Sequence, residues 1–210
     1  SWIAMFLRAL KKPENVLALD LDGVLIDLRA DWRAARKELV EQGLAMGWES
    51  VSEALARLWR EDGEAYDRAS KVVERYERAA LARSRALVPA ELLRALAERY
   101  VVYVTTMQPT SVALEALDLF GARKLVQGVL GRDCGLGPIK RRTYAELVRR
   151  HEEAGMLAVD DRPENFVEAI RLGITPLHVS RSAYKAAQAI RLGVPSAQPG
   201  RLFKLLVLSC

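Results

Sequence analysis

Two pairs of aspartates, far apart in the chain, have the residue type and spacing for metal-assisted chemistry. Asp20 and Asp22 follow one apolar run, and Asp160 and Asp161 follow another. Carboxylates held a few ångströms apart repel each other unless a cation or a shared proton compensates. Asp20, Asp160 and Asp161 can supply the hard oxygen ligands that Mg²⁺ prefers. An Asp-x-Asp pair alone also fits a strand that ends in an acidic turn, but the groups downstream favour the metal-assisted site.

Those downstream groups are the ones that phosphoryl transfer requires. A carboxylate that attacks phosphorus needs a cation to neutralise its charge, and it needs donors for the phosphoryl oxygens. The Thr105 hydroxyl and the Thr106 N–H can supply such donors, and Lys140 contributes a compact positive charge near the start of a predicted helix. Asp22 is placed to protonate the leaving oxygen and later to deprotonate the attacking water.

The elements that must position these groups are predicted to form an α/β fold with a parallel sheet. Five short apolar runs indicate buried strands: 16–19, 101–104, 125–130, 156–159 and 176–179. Helical periodicity between the strands favours right-handed crossovers and a Rossmann-like sheet with helices on both faces. In such sheets, ligands bind at the carboxyl ends of the strands. Each candidate group lies at a strand end or a helix start.

One segment, residues 28–85, breaks this alternation. Its apolar residues recur at helical spacing between glycines, which predicts three or four amphipathic helices without a strand. We therefore expect a core domain of residues 1–27 and 86–210 and a small helical domain of residues 28–85. Trp32, Trp48 and Trp59 are predicted to form the core of this bundle. An insertion at the strand ends projects over the ligand crevice, with flanking segments that act as hinges.

The motifs together resemble the haloacid dehalogenase-like hydrolase superfamily. They are Asp-Leu-Asp-Gly-Val-Leu at 20–25, an apolar strand ending in threonine, a lysine before a helix, and Val-Asp-Asp-Arg-Pro-Glu-Asn at 159–165. The resemblance covers about 16–179. The helical segment is similar to the C1-type cap of the phosphoglycolate phosphatase and β-phosphoglucomutase branch.

The resemblance implies a mechanism and a ligand set. Asp20 would be the nucleophile that forms an aspartyl-phosphate, and Asp22 would be the general acid and base. Thr105, Thr106 and Lys140 would bind the phosphoryl group. Mg²⁺ would be held by Asp20, the Asp22 carbonyl, Asp161 and, as a second acidic ligand, Asp160, with Asn165 in the outer shell. The dehalogenases lack an acid two residues after the nucleophile, so Asp22 argues against carbon–halogen chemistry.

The function that the resemblance implies is a Mg²⁺-dependent phosphatase for a small phosphorylated metabolite. The alternatives are a phosphomutase of the β-phosphoglucomutase type, a nucleotide 5′-phosphatase, and a catalytically silent binding protein on the same fold. The sequence does not specify the substrate or the oligomeric state.

Composition bounds the remaining classes of function. Half of the 210 residues are hydrophobic, and the net charge of +5 comes mostly from arginines along helical faces. Without a basic patch interleaved with aromatics, we expect no nucleic-acid partner. No apolar run reaches the ~18 residues that span a bilayer, and we expect no signal peptide. Cys134 and Cys210 are far apart, which favours a reducing, cytoplasmic setting. His151 and His178 are expected to pack in strands or lie at the surface.

Overall fold

A computed structural model describes residues 1–12 and 14–208, and its centre is a six-stranded parallel sheet. The strands run in the order β5, β4, β1, β6, β7, β8. Two further short strands, β2 and β3, pair antiparallel as a separate ribbon. The strands are β1 Asn15–Leu19, β2 Ile26–Asp27, β3 Arg85–Ala86, β4 Val101–Thr105, β5 Gly128–Leu130, β6 Gly155–Asp160, β7 Thr175–Val179 and β8 Ser196–Ala197. The predicted α/β fold class is confirmed.

Helices cover both faces of the sheet. They are α1 Trp2–Leu10, α2 Trp32–Glu41, α3 Val51–Glu61, α4 Gly63–Ala80, α5 Ala90–Ala97, α6 Thr110–Leu119, α7 Lys140–Arg150, α8 Phe166–Arg171, α9 Ala183–Arg191 and α10 Pro199–Leu208. Among the described residues, no helix is both long enough and apolar enough to cross a membrane.

The side chains of β1 point alternately to the two faces of the sheet, so this one strand contributes to two hydrophobic clusters. Leu17 and Leu19 pack in a cluster with residues of α5, α6 and α10, whereas Val16 and Ala18 pack in a second cluster with residues of α7 and α8. Successive side chains of a strand point to opposite faces, so a central strand must be apolar on both. Asp20 continues the series of Val16 and Ala18, and this places it on the α7 side.

The topology places the site at the centre of the sheet. β1 lies between β4 and β6, and the chain leaves β1 first toward β4 and later returns to β6 on the other side. The carboxyl end of β1 is therefore the point where strand order reverses, which is where parallel sheets form a ligand crevice.

Residues 28–85, here called the helical insertion, hold α2, α3 and α4 and no strand before Arg85 among their described residues. They have a buried cluster of their own, which includes Leu39, Leu55 and Val73. Trp32 and Trp59 pack against this cluster, but the prediction for Trp48 was wrong, because 75% of its surface is exposed. β2 and β3 join the insertion to the sheet through the pairs Ile26–Ala86 and Asp27–Arg85.

Two smaller predictions need correction or lie outside the described part of the chain. The third predicted strand, 125–130, is shorter, because Arg123–Leu125 is a 3-10 helix and only Gly128–Leu130 pairs with β4. Cys134 is a free cysteine, and Cys210 lies outside the described residues.

Candidate active site

Three acidic side chains converge at the carboxyl ends of β1 and β6. One carboxylate oxygen each of Asp20, Asp160 and Asp161 lies within 4.8 Å of the others. β1 and β6 pair in register, with Leu19 beside Val159, so Asp20 and Asp160 are neighbours on the same face of the sheet. The sequence predicted this convergence from the two strand ends.

Lys140 lies between two of these carboxylates. It is the first residue of α7, the helix that covers this face of the sheet. Its Nζ donates to Asp20 Oδ1 at 3.0 Å and to Asp160 Oδ2 at 2.9 Å, and all three side chains are largely or fully buried. The lysine therefore compensates part of the buried negative charge, and its predicted contact with a phosphoryl group stays a prediction.

The adjacent aspartates of β6 differ in their surroundings. Asp160 Oδ2 accepts from Lys140 and from Asn165 Nδ2 at 3.0 Å, and Oδ1 accepts from the Arg162 N–H at 2.9 Å. Asp161 Oδ2 has a longer ion pair of 3.5 Å to Lys185. Asp160 is thus fixed by several donors, whereas Asp161 retains oxygen lone pairs for a ligand. This favours Asp161 as the main metal ligand and gives Asn165 a supporting position through Asp160.

The charges of the cluster are strongly perturbed by burial. Burial raises the pKa of Asp20 well above its usual value, against the pull of Lys140, and burial together with Asp160 raises the pKa of Asp161. Burial opposes ionisation of Asp160 as well, but Lys140 and the hydrogen bonds outweigh it and the pKa is lowered. Burial also lowers the pKa of Lys140, but Asp160 and Asp20 outweigh it and the net pKa is raised. Without a cation, Lys140 alone would neutralise only part of the charge of the three carboxylates if all of them were ionised.

The donor set fits a hard divalent cation. Mg²⁺ takes oxygen ligands at ~2.0–2.1 Å in an octahedron, so oxygens in one coordination shell lie roughly 3–4 Å apart. One oxygen each of Asp20, Asp160 and Asp161 lies within 4.8 Å of the others, a limit slightly above these separations. Gly23 allows the close approach of Asp161 to the turn after β1, because a Cβ there would lie 2.4 Å from Asp161 Oδ2.

Asp22 is the second carboxylate of the first motif. Its Oδ1 accepts from the Leu28 N–H at 3.0 Å, which orients the side chain at the start of the helical insertion. Burial raises the pKa of Asp22, and this favours the protonated form that a general acid needs.

The two threonines at the end of β4 differ in their hydrogen bonds. The Thr105 hydroxyl is buried and has no hydrogen-bond partner within the described part of the chain, which suits a hydroxyl that binds a ligand. The Thr106 N–H donates to the Leu130 carbonyl at 3.0 Å, so we do not assign it to a phosphoryl oxygen. The Thr106 hydroxyl instead pairs with Gln108.

Comparisons with known proteins give structural matches. No family model matches the sequence, and no curated protein does. A haloacid dehalogenase-like hydrolase from Streptococcus pneumoniae matches with a TM-score of 0.69 at 17% identity, covering 92% of this chain and 98% of that one. A predicted phosphatase from Clostridium acetobutylicum gives 0.68 at 17%, with the same coverage. A HAD family hydrolase from Deinococcus radiodurans, solved with bound phosphate and sodium, gives 0.58 at 19%, covering 91% and 93%. The chain has the haloacid dehalogenase-like fold.

In this haloacid dehalogenase-like fold, the helical insertion closes one side of the crevice. A cavity of about 570 Å³ lies between the insertion and the sheet. Its walls include Asp20, Asp22, Lys140, Asp161 and Asn165. The insertion contributes Trp32, Arg33, Arg36, Ser50, Val51, Ser52, Leu55, Val73 and Glu77. The cavity therefore contains the acidic cluster and is bounded by both parts of the chain.

Sequence reasoning missed several residues of this site. Glu77 and Arg132 form a fully buried ion pair beside the cavity, although Glu77 stands in a charged helical segment and Arg132 in a glycine-rich loop. His178 is also fully buried: its Nε2 lies 3.1 Å from the Asp161 carbonyl, and Nδ1 lies 2.6 Å from Ser196 Oγ. Burial lowers the pKa of His178, so the neutral ring donates to this carbonyl and helps to fix Asp161. No sequence signal identifies these partners, because each contact joins distant segments.

Proposed function

We propose that this protein is a Mg²⁺-dependent phosphatase that hydrolyses a small phosphomonoester through an aspartyl-phosphate on Asp20. The observation that supports it is the grouping of Asp20, Lys140 and Asp161 at the carboxyl end of the central strand, inside a cavity. Two structural neighbours support it further: one bears the name of a predicted phosphatase, and one was solved with bound phosphate.

The proposed reaction has two displacements at phosphorus. An Asp20 carboxylate oxygen attacks, the Asp20–phosphorus bond forms and the bond to the leaving oxygen breaks, while Asp22 gives its proton to that oxygen. Water then attacks the phosphorus, Asp22 takes the water proton, and the bond to Asp20 breaks to release phosphate. The raised pKa of Asp22 suits this exchange of acid and base roles.

The residues around Asp20 are proposed to neutralise the negative charge of the nucleophile and of the phosphoryl oxygens. Lys140 lies close enough to Asp20 to bind a phosphoryl oxygen, and the Thr105 hydroxyl is a second donor at the neighbouring strand end. Asp20, Asp161 and the Asp22 carbonyl would hold Mg²⁺, with Asp160 beside them. The ion, when bound, supplies positive charge for the nucleophile and the phosphoryl oxygens.

The helical insertion is proposed to act as a cap domain. Exclusion of water strengthens the electrostatic interactions in the site and protects the phosphorylated aspartate until the chosen acceptor arrives. Its position over the cavity, together with the ribbon of β2 and β3 at its base, supports this role. A reducing, cytoplasmic setting remains a prediction from the cysteine spacing.

Phosphate release from a panel of phosphorylated metabolites tests the function. We expect release with Mg²⁺, loss of release after chelation, and loss in Asp20→Asn. Interconversion of sugar phosphates without net release would contradict the phosphatase and favour a mutase. No turnover of any phosphomonoester by the folded, Mg²⁺-loaded protein would favour the silent binding protein.

A further inference from the structure

A fully buried ion pair joins the helical insertion to the sheet domain. Arg132 lies in the loop between β5 and α7, and Glu77 lies on α4. Arg132 Nη1 donates to Glu77 Oε1 at 2.6 Å, and both side chains are 1% exposed. The same guanidinium donates to Ser70 Oγ at 3.0 Å and to the Ser70 carbonyl at 2.9 Å. The guanidinium of this one arginine thus makes three contacts with α4.

Arg132 also contacts the turn that follows β4. Arg132 Nη1 donates to the Met107 carbonyl at 3.1 Å, and the Arg132 N–H donates to the Gln108 carbonyl at 3.1 Å. The Gln108 side chain hydrogen-bonds to Glu77 and to the Thr106 hydroxyl. The turn 106–108 is therefore connected to α4 through both backbone and side chain. β4 lies directly beside β1, and Asp20 directly follows β1.

A buried ion pair contributes little net stability, but it favours one specific geometry of its two partners. Removing two charges from water opposes the attraction between them, so apolar residues of the same shape would hold the two parts together at least as well. The guanidinium, however, satisfies its donors in a single orientation of α4. When the two parts separate, both charges regain water, so the pair opposes opening less than an apolar contact would. These properties suit a contact that forms and breaks.

We propose that the Glu77–Arg132 pair is a latch that positions the helical insertion over the site in one orientation and ties it to the turn after β4. Both residues line the cavity, so this orientation sets the shape of the space above Asp20. They are positioning residues rather than catalytic ones. The effect on turnover rests on the proposed phosphatase function, whereas the effect on the position of α4 does not.

Three variants and a matched control test the latch. Arg132→Met and Glu77→Gln each remove one charge of the pair. Each single variant leaves the other charge buried without its partner and can therefore fail to fold. The double variant Glu77→Leu with Arg132→Met removes both charges and avoids this problem. Arg78→Met is the control, because Arg78 is the next residue of α4 and bridges to Glu115 of α6 at the surface. All are compared by hydrogen exchange and by kcat and KM.

We expect the double variant to fold and to exchange at least tenfold faster than wild type in α4 and in residues 106–108, with β1 and β6 unchanged. We expect its kcat/KM to fall at least tenfold, mainly through KM, and the control to resemble wild type in both measurements. If the double variant has the exchange rates and kinetics of the wild type, the latch is overturned, because apolar side chains can then replace the ion pair without effect. If the wild-type protein hydrolyses no phosphomonoester, the proposed function fails, but the exchange measurement still decides the latch.

Discussion

Asp20 is a buried carboxylate whose charge serves the proposed chemistry and opposes folding. Burial raises its pKa, and so do Asp160 and Asp161, while Lys140 offsets only part of this penalty. An acid with a raised pKa in the folded state contributes stability below its ordinary pKa and loses that contribution as pH rises. At pH values above the ordinary pKa of an aspartate, Asp20 therefore opposes folding of the metal-free protein.

The substitution Asp20→Asn is expected to remove turnover and to stabilise the metal-free protein. Loss of a nucleophile lowers kcat by several orders of magnitude. Lys140 keeps Asp160 as its partner, so the neutral amide relieves repulsion without leaving the lysine unpaired. A gain of ~1 kcal/mol corresponds to a Tm increase of roughly 2–4 °C for a chain of this size. Thermal unfolding in EDTA and a phosphate-release assay measure the two effects, and near-normal turnover in the folded variant would refute the mechanism.

Glu77 gives a second prediction, which concerns pH. Burial raises its pKa to about 7, the paired Arg132 offsets part of this shift, and Glu74 adds a small unfavourable charge from the same helix. The folded state therefore binds a proton more tightly than the unfolded state. The stabilising contribution of protonated Glu77 is full below pH ~4.5 and is lost as pH rises to ~7, with an upper limit of roughly 3 kcal/mol at 1.36 kcal/mol per pKa unit.

Urea unfolding between pH 4.5 and 8 in EDTA compares wild type with Glu77→Gln. We expect the wild type to lose stability relative to the variant across the lower part of this range and the difference to become constant above pH ~7. Curves that stay parallel throughout would show that Glu77 titrates normally in the folded protein.

At the scale of elements, the turn after β1 controls the geometry of the acidic cluster. Gly23 has φ of +86°, a conformation that a residue with a side chain adopts at a cost of ~1–2 kcal/mol. A Cβ at this position would also lie 2.4 Å from Asp161 Oδ2 and 2.7 Å from its Cγ. The turn and the end of β6 therefore fit together only with glycine at this position.

We expect Gly23→Ala to lower both stability and activity, the latter by tenfold or more, because Asp161 must move away from the turn. Gly121→Ala is the matched control: its φ is +67°, and a Cβ there meets no atom within 4 Å among the described residues. Both variants should lose ~1–2 kcal/mol of stability from backbone strain. Only Gly23→Ala should lose turnover and Mg²⁺ affinity, and equal activity in the two variants would contradict this account of the turn.

The sheet and the polar groups at its strand ends could be predicted from the sequence because their signals are local. The apolar runs before Asp20 and Asp160 indicate strands, and parallel strands meet at one edge. The Glu77–Arg132 contact could not be predicted, because it joins residues that are 55 positions apart, one in a charged helix and one in a glycine-rich loop. Trp48 was misplaced because its neighbours have helical spacing, whereas it lies in the loop between α2 and α3.

Short, irregular elements were also beyond the sequence signal. β2, β3 and β8 have two residues each, too few for a periodic pattern. The prediction that the Thr106 N–H binds a phosphoryl oxygen depended on whether hydrogen bonding between β4 and β5 ends before or after Thr106. The N–H bonds to the Leu130 carbonyl of β5, a pairing that is visible only in the folded sheet.

At the scale of the whole molecule, occupancy of the acidic cluster is expected to control global stability. A ligand that binds only the folded state stabilises it by RT ln(1 + [L]/Kd), which is ~2.7 kcal/mol at 100 times the Kd. Burial and Asp160 raise the pKa of Asp161, so a bound cation would also relieve repulsion that the metal-free protein retains. Mg²⁺ should therefore raise the Tm by roughly 5–10 °C at saturating concentration.

The substitution Asp161→Asn separates this effect from general salt effects. The variant should have a metal-free Tm at or above that of wild type, because it lacks a destabilising charge, and its Tm should respond little to Mg²⁺. Asp118→Asn is the control, since Asp118 pairs with Arg123 at the surface and is half exposed, and its Tm should respond to Mg²⁺ as in wild type. Titrations at constant ionic strength measure the Tm of all three proteins and do not depend on turnover. If Mg²⁺ raises the Tm of Asp161→Asn as much as that of wild type, the ion binds elsewhere and Asp161 is not its main ligand.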